Sequence, residues 1–236
     1  MNLHMNELDQ PIGFPLPRWR VPEAPPRTAM VGRYCRVEPL DPARHAEDLF
    51  RANALDTDHR GWTYLPYGPF ADLAAYRAWM DATCRGDDPL FHAIVDAASG
   101  KAVGVASYLR IERNAGSIEV GHLRFSPLLQ RSPASTEAMY LMMKRAFALG
   151  YRRYEWKCDA LNAPSRAAAE RLGFVFEGIF RQANVYKGRN RDTAWLSILD
   201  CEWPRLDAGL ARWLDPANFD AAGQQRRRLA DLTAPR

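Results

Sequence analysis

One residue of this chain stands where a proton could be moved. Glu119 interrupts the apolar, strand-like run 118–125, two residues before Gly121, and a glycine inside a strand marks a bulge or a close approach to the backbone. Buried beside a cleft, such a carboxyl rises in pKa and can take a proton, directly or through water, from an attacking ammonium. Facing outward from a half-exposed strand, it is only a surface charge. Ser165 follows Asn162 by three residues at the start of a helix-like run that includes Ala167, Ala168 and Ala169. Asn162 is a natural N-cap, Pro164 lies in the first turn where its missing N–H does no harm, and Gly173 can take the left-handed stop. Taken by itself, a serine there bonds the backbone of its own turn.

The stretch 117–138, SIEVGHLRFSPLLQRSPASTEA, runs from strand through loop into helix. The strand covers 118–125, Ser126-Pro127 breaks it, and the helix starts near Thr136 with Glu137 in its first turn, where a carboxylate suits the positive end of the dipole. Unpaired N–H groups at such a start favour phosphate, although many α/β proteins use the same junction as a plain connection.

Glu119-Val120-Gly121-His122, followed by Gln130-Arg131-Ser132-Pro133-Ala134-Ser135-Thr136-Glu137-Ala138, resembles the acetyl-CoA-binding signature of the GNAT superfamily of acyltransferases. The nearest branch is the one containing the ribosomal-protein N-terminal acetyltransferases. There a Glu-hydrophobic-Gly-aromatic strand leads to a loop of the form Gln/Arg-x-x-Gly-x-Gly/Ala and then Thr-Glu-Ala. Gln130 matches the first loop position, while Pro133 and Ser135 replace small, flexible ones, and proline brings no N–H to a pyrophosphate. A second segment resembles the Asn-x-x-Ser…Ala…Leu-Gly-Phe…Glu-Gly pattern of the same branch, with Asn162, Ser165, Leu172-Gly173-Phe174 and Glu177-Gly178 in order.

The resemblance implies acetyl-CoA as cofactor and a primary amine as acceptor, with no metal. It places Leu123, Arg124 and Phe125 along the thioester, whose carbonyl the strand's N–H groups would polarise. Gln130, Arg131, Ser132, Ala134, Ser135 and Thr136 would surround the pyrophosphate. Asn162 would contact the pantetheine arm, Ser165 would protonate the departing thiolate, and Glu119 would act as base. Relatives shape their acceptor pocket between the first two helices. Here that position is GWTYLPYGPF, in which Trp62, Tyr64, Tyr67 and Phe70 stand among glycines and prolines and suit a rigid lid, or simply a core.

Composition narrows the field further. A length of 236 residues fits one domain with extensions, and 47% apolar residues with seven Trp, ten Phe and nine Tyr exclude wholesale disorder. No apolar run approaches the roughly 20 residues of a membrane span. The start, MNLHMNELDQPIGFPLPRWR, lacks a basic, apolar leader, so a cytoplasmic protein is expected. Cys35, Cys84, Cys158 and Cys201 form no C-x-x-C pair, which points to free thiols. A net charge of +4 is as well explained by a polyanionic cofactor as by nucleic acid.

The pattern of elements predicts an α/β (α+β) fold: a mixed, mostly antiparallel twisted sheet flanked by helices, with splayed central strands as in the GNAT fold. Residues 1–30 read as a proline-rich arm, 31–204 as the acetyltransferase domain, and 205–236 as a helix and a basic tail, solvated or disordered, around Arg226-Arg227-Arg228. The expected activity is direct acetyl transfer from acetyl-CoA to a protein N-terminus, an aminoacyl compound or a small amine, by a monomer or homodimer. The rival is a non-catalytic acyl-CoA-binding or nucleic-acid-associated module that keeps the fold.

Overall fold

The strands of the computed structural model, which describes residues 4–234, are β1 (His4–Met5), β2 (Pro11–Ile12), β3 (Met30–Val31), β4 (Cys35–Pro39), β5 (Leu90–Asp96), β6 (Ala102–Glu112), β7 (Ser117–Phe125), β8 (Arg153–Asp159), β9 (Val175–Tyr186) and β10 (Arg189–Leu199). The helices are α1 (Pro42–Ala54), α2 (Leu73–Thr83), α3 (Pro133–Ala148), α4 (Ala163–Leu172), α5 (Trp203–Trp213) and α6 (Leu229–Thr233). Residues 1–3 of the expected arm and 235–236 of the expected tail lie outside the described residues. Eight strands form one sheet in the order β3-β4-β5-β6-β7-β8-β10-β9, antiparallel at every step except β7–β8. No helix among the described residues is long and apolar enough to cross a membrane.

Strand alternation builds a core on each face. Leu90, Ile94, Ile118, Val120, Tyr154 and Trp156 pack against α3, α4, α5 and α6. Phe91, Ala93, Val95 and Val105 point the other way, under α1 and α2. A consequence for β7 follows directly: with Ile118 and Val120 on the α3 face, Glu119 belongs to the α1–α2 face.

The parallel pair β7–β8 is the feature that makes room. Its rungs join Ser117–Val120 to Arg153–Trp156 and then stop, although β7 continues to Phe125 and β8 to Asp159. The two strands splay apart toward their C-terminal ends, as the resemblance implied. β7 stays on β6 through a bulge, with Gly121 opposite Ser107, Arg124 opposite Val105, and His122 at a left-handed φ of 52°.

Three local expectations change. Helix α3 begins at Pro133 rather than Thr136, because Ser132 supplies the N-cap and proline is tolerated at the first helical position. Glu137 therefore lies past the first turn and serves another end: its carboxylate accepts from the amides of Arg33 (2.8 Å), Tyr34 (2.6 Å) and Cys35 (2.9 Å). The C-terminal segment is neither solvated nor disordered through its helix, since Leu229 and Leu232 of α6 are buried against α5. The N-terminal arm holds a small hairpin, β1–β2, where only extended chain was expected.

Candidate active site

Beyond Phe125 the chain folds back on itself. The amides of Leu129 and Gln130 donate to Ser126 O at 2.9 and 3.1 Å, and Gln130 Nε2 donates to Phe125 O at 2.8 Å. Arg131, at φ 57°, turns the chain so that Ser132 can cap α3. Ser132 Oγ accepts from the Ser135 amide at 3.3 Å and donates to Leu129 O at 2.6 Å, while Ser135 Oγ donates to Ser132 O at 2.7 Å. Thr136 accepts from Arg171 Nη1 at 3.0 Å. These side chains are engaged within the fold, so what the loop offers outward is backbone. Among the described residues the amides of Arg131, Ser132 and Ala134 have no partner. They stand at the positive end of a 16-residue helix, an arrangement suited to a pyrophosphate.

Where β7 and β8 part, a charged row crosses the sheet on the α1–α2 face. Glu119, 3% exposed, accepts from Arg110 Nη1 at 3.0 Å and from Lys157 Nζ at 3.0 Å. Lys157 Nζ also meets Glu155 at 2.8 Å and lies 3.8 Å from the centre of the Trp195 ring. Arg153 then joins Glu155 to Glu177. Burial pushes the Glu119 carboxyl above the ordinary carboxylate range, against the pull of Lys157 and Arg110. An acid held up in this way is poised to take a proton nearer neutrality.

Ser165 occupies the opposite face. Asn162 caps α4 as expected, its Oδ1 accepting from the Ser165 amide at 3.2 Å. Ser165 Oγ accepts from Trp156 Nε1 at 3.0 Å, and Trp156 belongs to the core on the α3–α4 side. The same hydroxyl draws down the pKa of the Cys158 thiol, which burial otherwise raises. Glu119 and Ser165 are thus separated by the sheet at the rung where it opens, Val120 pairing with Trp156.

The aromatic loop divides. Trp62 meets Phe70 edge-on at 5.7 Å and Tyr67 at 6.3 Å, and Tyr67 in turn leans on Trp79 at a tilt and stacks on His122. The Tyr67 hydroxyl lies 3.2 Å from His122 Nδ1, and burial brings the His122 pKa down to about 4, leaving the ring neutral at neutral pH. Tyr64 faces elsewhere, donating to Leu161 O at 3.2 Å beyond the end of β8. Lys187 and Arg189, at the tip of the β9–β10 hairpin, donate to the carbonyls of Trp62 (2.8 Å) and Thr63 (2.9 Å). The three bonds tie the loop to the β8–α4 connection and to the β9–β10 hairpin. The Arg124 side chain is spent on this support: it pairs with Asp56 at 2.9 Å and lies 4.6 Å over Trp62, leaving only its backbone to face a ligand. Gly61 is needed beneath it, since a Cβ there would stand 2.5 Å from Arg124 Nη1.

Residues 36–175 match the profile of the acetyltransferase (GNAT) domain. The chain belongs to the GNAT family of acetyltransferases. It is 48% identical to a GCN5-related N-acetyltransferase from Brucella melitensis, with a TM-score of 0.90 over 92% of this chain and 99% of that one. A probable GNAT-family acetyltransferase from Chromobacterium violaceum is 44% identical, with a TM-score of 0.77 over 83% and 98% of the two chains. A putative ribosomal-protein-serine acetyltransferase from Vibrio cholerae shares the fold at 18% identity and a TM-score of 0.62, over 74% and 98%. A search of proteins of curated function finds no match. Members of the family take acetyl-CoA as co-substrate.

Sequence reasoning about this acetyltransferase overlooked Lys157, Arg110 and Trp156. The signal for Lys157 and Trp156 was present in RYEWKCD, where Arg153, Glu155 and Lys157 alternate with Tyr154, Trp156 and Cys158. That period puts the charges on one face and the indole on the other. Arg110 gave no such signal, because its reach to Glu119 depends on the register of β6 against β7.

Proposed function

We propose that this acetyltransferase transfers the acetyl group of acetyl-CoA directly to a primary amine. The observation that carries the reading is the gap between β7 and β8, with a buried carboxyl on one face of the sheet at its apex and a serine hydroxyl on the other. A thioester lying in that gap would meet the amine from the Glu119 side and release its sulfur toward Ser165. The amine attacks the carbonyl carbon, the C–N bond forms as the C–S bond breaks, Glu119 takes the ammonium proton and the sulfur takes a hydrogen from Ser165. Holding amine and thioester together supplies several kcal/mol as effective molarity without a protein nucleophile.

The amides of Arg131, Ser132 and Ala134 would hold the pyrophosphate, flanked by Gln130, Ser135 and Thr136. Asn162 would contact the pantetheine arm, and the edge of β7 at Leu123, Arg124 and Phe125, which β8 leaves uncovered, would face it. Trp62, Tyr67 and Phe70 form the acceptor wall, and Tyr64 spans the opening. The bonds from Tyr64, Lys187 and Arg189 favour a slender acceptor, such as an extended protein N-terminus, an aminoacyl compound or a small amine. The test is mass spectrometry of an amine panel incubated with purified protein and acetyl-CoA. Acetylated amine, formed in step with free CoA, is expected. A protein that binds acetyl-CoA and acetylates no member of the panel would instead support a non-catalytic acyl-CoA-binding role.

A further inference from the structure

The indole of Trp156 and the hydroxyl of Ser165 meet at 3.0 Å between two rigid elements. Trp156 sits on the last rung that β8 shares with β7, opposite Val120, and pairs on its other side with Leu196 of β10. It is 5% exposed, with its ring edge-on to Phe174 at 5.5 Å. Ser165 is fixed from the other side by the Asn162 cap. The single donor atom of the ring is aimed at Ser165, the one hydroxyl of α4.

An indole nitrogen only donates, so in this pair the serine oxygen is the acceptor. The bond occupies one lone pair of Oγ and leaves the hydroxyl hydrogen to point away from Trp156. The sulfur of a thioester in the gap can receive it. We propose that Trp156 is a positioning residue for acetyl transfer, holding Ser165 Oγ so that its hydrogen is directed at the departing sulfur. The inference rests on the acid role of Ser165 given above.

The indole also acts during the step itself. As the C–S bond breaks and the hydrogen moves to sulfur, negative charge builds on Ser165 Oγ, and an N–H already at hydrogen-bond distance stabilises that charge more than it stabilises the resting hydroxyl. CoA leaves as the thiol, and solvent returns a hydrogen to Ser165. The contribution therefore falls on the transition state and appears in kcat rather than in acetyl-CoA binding.

Trp156→Phe keeps the ring and removes the donor. Its kcat is expected to fall about 10-fold, with KM for acetyl-CoA changed less than twofold. In a Ser165→Ala background the same substitution should cost nothing further, because the two groups act as a unit. Trp156→His, which restores an N–H on a smaller ring, should recover part of the lost kcat, and it remains informative if the phenylalanine variant does not fold. Full kcat in Trp156→Phe alongside a slow Ser165→Ala would overturn the inference and leave the acid role standing, as would independent, multiplicative losses in the double variant. Equal losses for Phe and His would overturn it too. A fully active Ser165→Ala would remove the acid role, and the inference with it.

Discussion

The Glu119 carboxylate and the Lys157 ammonium face each other at 3.0 Å across the strand pair that opens one rung later. Lys157 is shared, since Glu155 holds it at 2.8 Å from the other side. The proposed base is therefore tuned by a cation whose own charge is divided between two carboxylates. Burial raises the Glu119 pKa; Lys157 and Arg110 lower it by smaller amounts. Removing the cation should let burial prevail further. In Lys157→Met, the limb of the pH–rate profile that reports the base is expected to move to higher pH. Glu119→Gln should flatten that limb and lower kcat about 10-fold or more. A limb unmoved by either substitution would assign the proton to water or to the acceptor's own equilibrium.

Cofactor binding should be visible as stability. A ligand that binds only the folded chain adds about 2.7 kcal/mol at a hundredfold excess over its Kd, enough to raise Tm by several degrees. Millimolar CoA and acetyl-CoA are both expected to do so here, and two flat melting curves would remove the loop at residues 126–136 as a pyrophosphate site. Pro133 sharpens the test. It occupies the first position of α3, where an N–H would have no helical partner and would point outward. Pro133→Ala supplies that donor and should tighten CoA binding by a few-fold, about 1 kcal/mol or less.

Neighbouring residues of α4 should separate stability from rate. Asn162→Ala removes the N-cap and should cost about 1 kcal/mol of stability, read as a lower Tm. Ser165→Ala leaves that cap in place and should melt within a few degrees of the parent while kcat drops about 10-fold or more. The reverse pattern would make Ser165 a structural residue and nothing else.

Glu137 supports a different part of the fold from the one its sequence position suggests. Its two oxygens accept from three consecutive amides in the turn between β3 and β4, and Gly32 lies so close that a Cβ would stand 2.4 Å from the carboxylate. Glu137→Ala strips three amides of their acceptor, that of Cys35 in a buried setting, and should cost about 1–3 kcal/mol. Thermal or urea unfolding measures it; a loss below 1 kcal/mol would mean that water replaces the carboxylate.

What the sequence made legible was local. Helix α4 with Asn162 and Gly173 as its ends, the bulge near Gly121, and the strand that carries Glu119 all follow from residue types a few positions apart. The start of α3 was misplaced by three residues because Pro133 reads as a breaker until Ser132 is recognised as its cap. Contacts across the chain were invisible: Glu137 reaches back about a hundred residues to Arg33, Tyr34 and Cys35, and Arg124 reaches Asp56. No periodicity encodes such pairs, because strand register and loop length decide them.

Acid should weaken the fold through its buried histidines. His92 is fully buried beneath the edge of Tyr108, its ring nitrogens have no partner among the described residues, and burial holds its pKa at about 4 rather than 6.5. His122 is brought down to about 4 by the same cause. Well above pH 6.5 both rings are neutral whether the chain is folded or not, and neither affects stability. Between pH 6.5 and 4 the unfolded chain binds protons that the folded one refuses, so stability falls with decreasing pH, by up to about 1.4 kcal/mol per unit for each histidine. Glu119, held above its ordinary range, works in the opposite direction over the lower part of that window. The net expectation is a Tm that drops steadily from pH 7 to pH 5, and a His92→Phe variant in which the drop is distinctly shallower. An equal slope in parent and variant would show that His92 becomes charged inside the folded protein, with some partner or water compensating it.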